Sequence, residues 1–219
     1  MERNLISNNA LSNLIKERIT EDILFGNVQP GEKLIETQYA DRLGTSRAPI
    51  REAFYLLELE GLVKKIPRKG TVVKGFTAEE MKDLLEIRNF LEEQAINKLG
   101  NTANSEFLNK MERLLIQMEE NRDDRSSYAK LNYEFHFQLI LASRSDVLKN
   151  FYSRLGTPLL LLQSMSFMGE KSIEKSLQEH KELISLIKQQ ELEKALTLLR
   201  SHNQDVFLRI EKHATKSIY

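Results

Sequence analysis

The 219-residue chain has no cysteine and no tryptophan. Without thiols it forms no disulfide and no thiolate metal centre. Long apolar runs are missing too. A stretch such as Leu159 to Leu162 falls far short of the roughly 20 residues that cross a bilayer, and the first residues lack a signal-like apolar core. These absences are expected of a cytoplasmic protein with no membrane partner. Net charge is also absent: 32 Lys and Arg balance 32 Asp and Glu. That zero hides an uneven distribution. Residues 1–75 carry 12 basic and 10 acidic side chains, and the remainder carries 20 and 22. Lys64, Lys65, Arg68, Lys69 and Lys74 fall within eleven residues that contain no acid. A local basic patch, not the global sum, decides whether nucleic acid is a partner.

The pattern around this patch is punctuated. Leu11, Leu14, Ile15, Arg18, Ile19, Asp22 and Ile23 follow a helical period that stops near Gly26. Pro30-Gly31 makes a turn, and a short helix from Glu36 to Leu43 turns Tyr39, Ala40 and Leu43 inward. Gly44 suits a left-handed helix end. Ser46 is placed to cap the next helix, from Arg47 to about Glu60, and Pro49 is tolerated in a first turn. Arg47 and Arg51, four apart, share a face. Leu62 to Ile66 and Thr71 to Val73 read as two strands joined by Pro67-Arg68-Lys69-Gly70. A helix-turn-helix followed by a hairpin with a basic tip fits a DNA groove and its phosphates.

The run Pro30-Gly31-x-x-Leu34-x-Glu36, Ala40-x-x-Leu43-Gly44-x-Ser46-Arg47-x-Pro49-Ile50-Arg51-Glu52-Ala53, Leu57-x-x-Glu60-Gly61-Leu62-Val63 and Pro67-Arg68-Lys69-Gly70 closely resembles the winged-helix domain of GntR-family bacterial transcription regulators. The resemblance implies operator contacts from Thr37, Ser46, Arg47, Arg51, Arg68, Lys69 and Gly70. Ala48 and Pro49, at the start of the recognition helix, are candidates for backbone and methyl contacts. This domain is expected to span residues 1–75.

From residue 76 to 219 the sequence has helical periods and no convincing strand. Thr77 and Glu80 form a capping box. Helices are expected over 77–99, 104–122, 126–143, 146–168 with a break near Gly156 to Pro158, 172–189 and 191–214, separated by Gly100, Asp123-Asp124 and Gly169. Six or seven antiparallel helices make an all-α bundle, which builds ligand sites between facing helices. The fold class is therefore mainly α, a winged helix followed by a helical bundle.

Three histidines stand out. His180 and His202 occupy apolar stripes, and His136 flanks one, with Asn132 one turn earlier. Three imidazoles and an amide oxygen from three helices suit a divalent metal, while buried, hydrogen-bonded core histidines are the plainer reading. His213 lies near the C-terminus and is left aside. Arg88 shares a stripe with Leu84, Leu91 and Ala95. It is either a carboxylate clamp or the partner of an acid such as Glu92 or Glu134.

Phe135-His136, His180 and His202, with intervals of 44 and 22 residues, resemble the all-helical FCD effector domain of the FadR subfamily of GntR regulators. The resemblance implies a divalent ion, zinc or nickel, on an Asp-x-x-x-His pair and two later histidines; here Asn132 stands in place of the Asp. Glu86-Ile87-Arg88-x-x-Leu91-Glu92 fits the first effector-domain helix, whose arginine often faces the ligand. Tyr133 and Gln163 are candidate lining residues. The expected protein is a homodimeric regulator on a pseudo-palindromic double-stranded operator, a repressor released by a small organic acid. A constitutive regulator whose bundle only dimerises, and a metal-dependent hydrolase, are the rival readings.

Overall fold

The computed structural model describes residues 2–24, 26–99, 105–167 and 172–214. Gly100 and Gly169, and the His213 side chain, lie outside the described residues. The chain divides into two compact units between Phe76 and Thr77.

The first unit runs α1 (Glu2–Leu24), β1 (Lys33–Leu34), α2 (Glu36–Leu43), α3 (Arg47–Leu59), β2 (Val63–Ile66) and β3 (Gly70–Val73). Helix α1 packs on α3. Ile15, Ile19 and Ile23 are buried, as are Ile50, Ala53, Phe54 and Leu57. The α1 stripe is narrower than its sequence suggests: Leu14 stays 62% exposed, and Leu11 is exposed too. Ser12 is buried instead and donates to Glu52 at 2.9 Å. One side of a helix is all that a single neighbour can cover. Asp22 is buried against Arg42, whose guanidinium lies 4.5 Å over the Tyr39 ring.

Gly44 ends α2 at φ 62°, a left-handed conformation with no Cβ penalty. Ser46 has the extended backbone of a cap, but its hydroxyl makes no capping bond, unlike the sequence expectation. The wing is an antiparallel hairpin with Val63 opposite Val73 and Ile66 opposite Gly70. A third strand absent from the expectation, β1, pairs Lys33 with Val72, giving the order β1-β3-β2. At the tip the Lys69 amide donates to the Ile66 carbonyl at 3.1 Å. Pro67 then occupies the second turn position and Arg68 the third, at φ 61°. That is the type II arrangement, which ordinarily places glycine third.

The second unit has seven helices among the described residues: α4 (Ala78–Asn97), α5 (Ser105–Glu120), α6 (Arg125–Ala142), α7 (Asp146–Arg154), α8 (Gly156–Ser166), α9 (Ser172–Lys188) and α10 (Leu192–Ala214). The capping box forms at the start of α4: Glu80 N–H donates to Thr77 Oγ1 at 3.1 Å, and Thr77 N–H to Glu80 Oε2 at 2.9 Å. Helix α6 packs against α4, α5, α7 and α8. It therefore buries nearly its whole circumference, including Asn132, His136 and Gln138. The main apolar cluster gathers Met111, Met118, Phe135, Leu139, Ile187 and Leu199. A second holds Leu91, Ile140, Leu148, Tyr152 and Leu159. A Cβ on Gly156 would stand 3.2 Å from the Tyr133 hydroxyl, so a larger residue at the α7–α8 junction would have to push that ring aside by a few tenths of an ångström. No described helix is long and apolar enough to cross a membrane.

Candidate functional site

In the first unit, the basic groups of α3 and the wing tip are exposed. Arg47 and Arg51 project from the first turns of α3, 58% and 66% exposed. Both pair with Glu36, the first residue of α2. Arg47 donates to Oε2 at 2.9 Å, and Arg51 donates to Oε1 at 3.3 Å and to Oε2 at 3.2 Å. Arg51 first and Arg47 second hold the Glu36 carboxyl below its ordinary value. Thr37, Ser46 and Ala48 are exposed beside them, as are Arg68 and Lys69 at the wing tip. Gly70 is half-buried against the Lys33 side chain. Pro49 is turned the other way, into the core. It stands two residues from either arginine, on the opposite side of the helix, so its ring is withdrawn from any DNA surface. Glu36 carried no sequence signal for its pairing, which depends on how α2 and α3 cross.

The second unit holds a cluster of charged and polar side chains inside. His136 on α6, His180 on α9 and His202 on α10 are fully or almost fully buried. Their candidate ligand nitrogens lie within 4.8 Å of one another. His136 Nε2 and His180 Nε2 are 3.2 Å apart. Two nitrogens on one tetrahedral ion at zinc–nitrogen bond lengths would be about 3.3 Å apart.

Carboxylates hold the outer edges of two of these rings. His202 Nδ1–H donates to Glu179 Oε2 at 2.7 Å, which leaves its Nε2 lone pair pointing inward, without a partner. His136 turns Nδ1 toward Glu92 Oε2, 3.2 Å away but too oblique for a full hydrogen bond. A carboxylate behind an imidazole fixes its tautomer and raises its basicity toward a metal. Burial lowers the His136 pKa to about 4, although Glu92 opposes the shift. Burial also lowers His180, with the His202 and His136 charges adding to the shift, and lowers His202 against the pull of Glu179. All three are therefore neutral near pH 7, the form that binds metal.

Glu92 is the hub of this centre. It accepts from Arg88 Nε at 2.8 Å, Tyr152 Oη at 2.8 Å and Asn203 Nδ2 at 3.1 Å. Burial works against charge on Arg88 and Glu92 alike, but their mutual attraction outweighs it and keeps the pair ionised. Of the two acids expected as partners for Arg88, the structure selects Glu92; Glu134 is exposed. Arg88 Nη1 and Nη2 remain buried and unpartnered. So do Asn132 Oδ1, both amide atoms of Gln163 and His180 Nδ1. Buried polar groups in folded proteins are nearly always satisfied, so these atoms make the interior of this unit a candidate site.

Tyr133 is not among them. It lies about 100° around α6 from Asn132, with its ring centre 6.0 Å from that of Phe137 and 5.6 Å from that of Tyr152. This removes it from the imidazole face. Glu179 was not legible in the sequence as a functional residue, since its contact with His202 spans 23 positions and two helices.

A helix-turn-helix with a basic wing, joined to a helical unit with a polar interior, defines a DNA-binding transcription regulator. Comparison with known proteins agrees. Residues 11–73 match the bacterial regulatory proteins of the gntR family, and residues 83–205 match the FCD domain. The chain is 31% identical over 183 residues to the HTH-type transcriptional regulator YdhC of Bacillus subtilis, covering 82% of each chain. It is 26% identical over 195 residues to the Nta operon transcriptional regulator of Aminobacter aminovorans, covering 87% of this chain and 91% of that one. The crystal structure of a GntR transcriptional regulator from Rhodococcus sp. RHA1 shares the fold with a TM-score of 0.80 at 21% identity, over 92% of this chain and 97% of that one. The protein belongs to the GntR family of transcription regulators and carries an FCD domain; it is a regulator and not an enzyme.

Proposed function

We propose that the helical unit is the sensing half of a repressor. In this reading His136, His180 and His202 hold a divalent ion, zinc or nickel, with Asn132 Oδ1 as a fourth donor, and a small organic acid binds beside it on Arg88. The observation that carries the reading is the set of buried, unpartnered polar atoms gathered around three neutral imidazoles. The residues fit the ion on two counts: the 3.2 Å separation of two ring nitrogens, and the carboxylates that turn His136 and His202 toward the centre. When bound, the ion would supply a positive anchor for a carboxylate. Arg88 supplies the rest: Glu92 occupies its Nε edge and leaves the forked Nη1 and Nη2 end free for a bidentate contact. The Gln163 amide is a further lining group.

On the DNA side, Thr37, Ser46, Arg47, Ala48, Arg51 and the wing tip meet the operator. Two copies bind a pseudo-palindromic site, as two-fold symmetry requires. The face that pairs them is formed by α4 and α7, which pack together and leave Ile87, Phe90, Val147 and Phe151 exposed. An apolar surface of this kind is characteristic of an interface.

The acid must bind the DNA-free state more tightly than the DNA-bound state, because only differential affinity shifts an equilibrium. Fluorescence anisotropy with an operator duplex tests this directly. A carboxylic acid with zinc should weaken DNA binding in the wild type but not in Arg88→Gln. Equal DNA affinity across acids and metals in both proteins would leave a constitutive regulator.

A further inference from the structure

A second cationic group reaches the same interior from α10. Arg209 stands seven residues beyond His202, two helical turns along the same face, and helical side chains lean back toward the N-terminus, here toward His202. Its Nε and Nη2 are sealed from solvent and have no hydrogen-bond partner. The charges of Arg209 and Arg88 act on each other and on His202, so all three lie within electrostatic reach.

The other helices contribute groups at the same level. On α6, Tyr128 lies two turns before His136, and on α9, Ser176 lies one turn before His180. The Tyr128 hydroxyl is 3.4 Å from the Ile173 carbonyl and lies beside Ser176 and Arg209. Ser176 and the Tyr128 hydroxyl are linked by a side-chain hydrogen bond, and burial raises the Tyr128 phenol well above its ordinary pKa. Asp205 and Glu179 both favour the Arg209 charge from nearby, while Asp205 pairs with Lys175 and Glu179 holds His202. What this level presents is the half-buried Arg209 guanidinium beside two linked hydroxyls, a polar group with a fixed positive charge.

We propose that Arg209, Tyr128 and Ser176 form a second anion subsite, and that the effector is accordingly a short dicarboxylate. One carboxylate would sit at the imidazole and Arg88 level and the other on Arg209. About 10 Å of helix rise separates the Cα atoms of His202 and Arg209, and the Arg209 side chain leans back along that interval, a span that a short linking chain would match. A neutral or cationic far end would leave the sealed Arg209 Nε and Nη2 without a hydrogen-bond partner, which is costly. This inference rests on the sensing role proposed above and names the chemistry of its ligand.

Calorimetric titration of the full zinc-loaded chain with acetate, malonate, succinate, glutarate and inorganic phosphate tests it. At least one dicarboxylate should bind roughly tenfold or more tightly than acetate. Arg209→Gln should erase that margin while leaving acetate binding within about twofold. Should that variant fail to fold, Arg209→Lys keeps the charge but loses the fork, and should shrink the margin in the same direction. Dicarboxylates no tighter than acetate, or a margin that survives both substitutions, would overturn the second subsite while leaving a monocarboxylate sensor standing. Phosphate binding through Arg209 more tightly than any dicarboxylate would overturn the dicarboxylate assignment. Silence toward zinc and every acid would instead remove the sensing role itself, and this inference with it.

Discussion

Two arginine–glutamate pairings distinguish the halves of the molecule. In the first unit Arg51 meets Glu36 with its side chain 66% exposed; in the second, Arg88 meets Glu92 with both side chains fully buried. The contacts are chemically alike, at 3.2 and 2.8 Å, and their consequences differ. Water and salt screen the exposed pair, so a phosphate or a guanine edge exchanges readily for Glu36. The buried pair has no such competitor. Removing either partner strands a charge in a medium of low dielectric, and only a ligand that enters the bundle can add to it. The first unit thus leaves this pair open to solvent, and the second seals its pair in the bundle interior.

The largest effect should follow from Glu92→Ala. Losing the carboxylate leaves Arg88 uncompensated and frees the Tyr152 and Asn203 donors. The transition of the helical unit should lose about 3–5 kcal/mol in denaturant melts. A loss below about 1 kcal/mol would show that the buried pairing is no stronger than a surface one and would erase the contrast.

Acid should separate the halves next. His136, His180 and His202 have native pKa values below the ordinary 6.5, about 4 in the case of His136. Between those limits the unfolded chain binds more protons than the folded one. Their contribution is therefore fully present above about pH 6.5 and is lost as pH falls toward the native values. Metal-free protein should destabilise in its helical unit over this window, followed by urea melts at stepped pH. A flat profile would mean that the imidazoles are not held neutral by burial.

These contacts differ in how far the sequence foretells them. The capping box at Thr77 and Glu80 is visible because it is local. The three histidines are visible because a helical period places His180 and His202 on apolar stripes and His136 beside one. The two-residue strand β1 has no period to read, and Leu14 obeys the α1 period yet stays in solvent. Tyr133 sits next to Asn132 in the chain but a third of a turn away on α6. Glu36 and Glu179 acquire their roles only when helices cross, so neither is marked by spacing. Elements and their faces follow from local pattern; the acids that orient the arginines and histidines follow from tertiary packing.

On the DNA side, Arg51→Ala should weaken operator binding roughly tenfold to a hundredfold and random-sequence binding much less. Lys69→Ala should weaken both alike and reduce the salt slope by about one. Both variants should melt like the wild type. Equal losses on operator and random DNA in both would move Arg51 from reading bases to holding phosphate.

The smallest expected change sharpens the comparison most. Glu36→Gln removes the competitor for Arg47 and Arg51 but leaves the guanidiniums in place. Binding to random DNA should tighten roughly two- to fivefold at low salt, with the ratio of operator to random affinity reduced and the difference fading at high salt. Weaker binding to every sequence would mean that Glu36 organises the arginines rather than competing for them.

The polar interior as a metal and acid site is tested most directly by zinc titration of the metal-free full chain, with His180→Ala and Asn132→Asp alongside. One ion per chain is expected in the wild type. His180→Ala should abolish stoichiometric binding, and Asn132→Asp should tighten it by roughly tenfold through the added charge. No uptake in the wild type, with Asn132→Asp unchanged from it, would contradict the assignment and leave the three imidazoles as a hydrogen-bonded core.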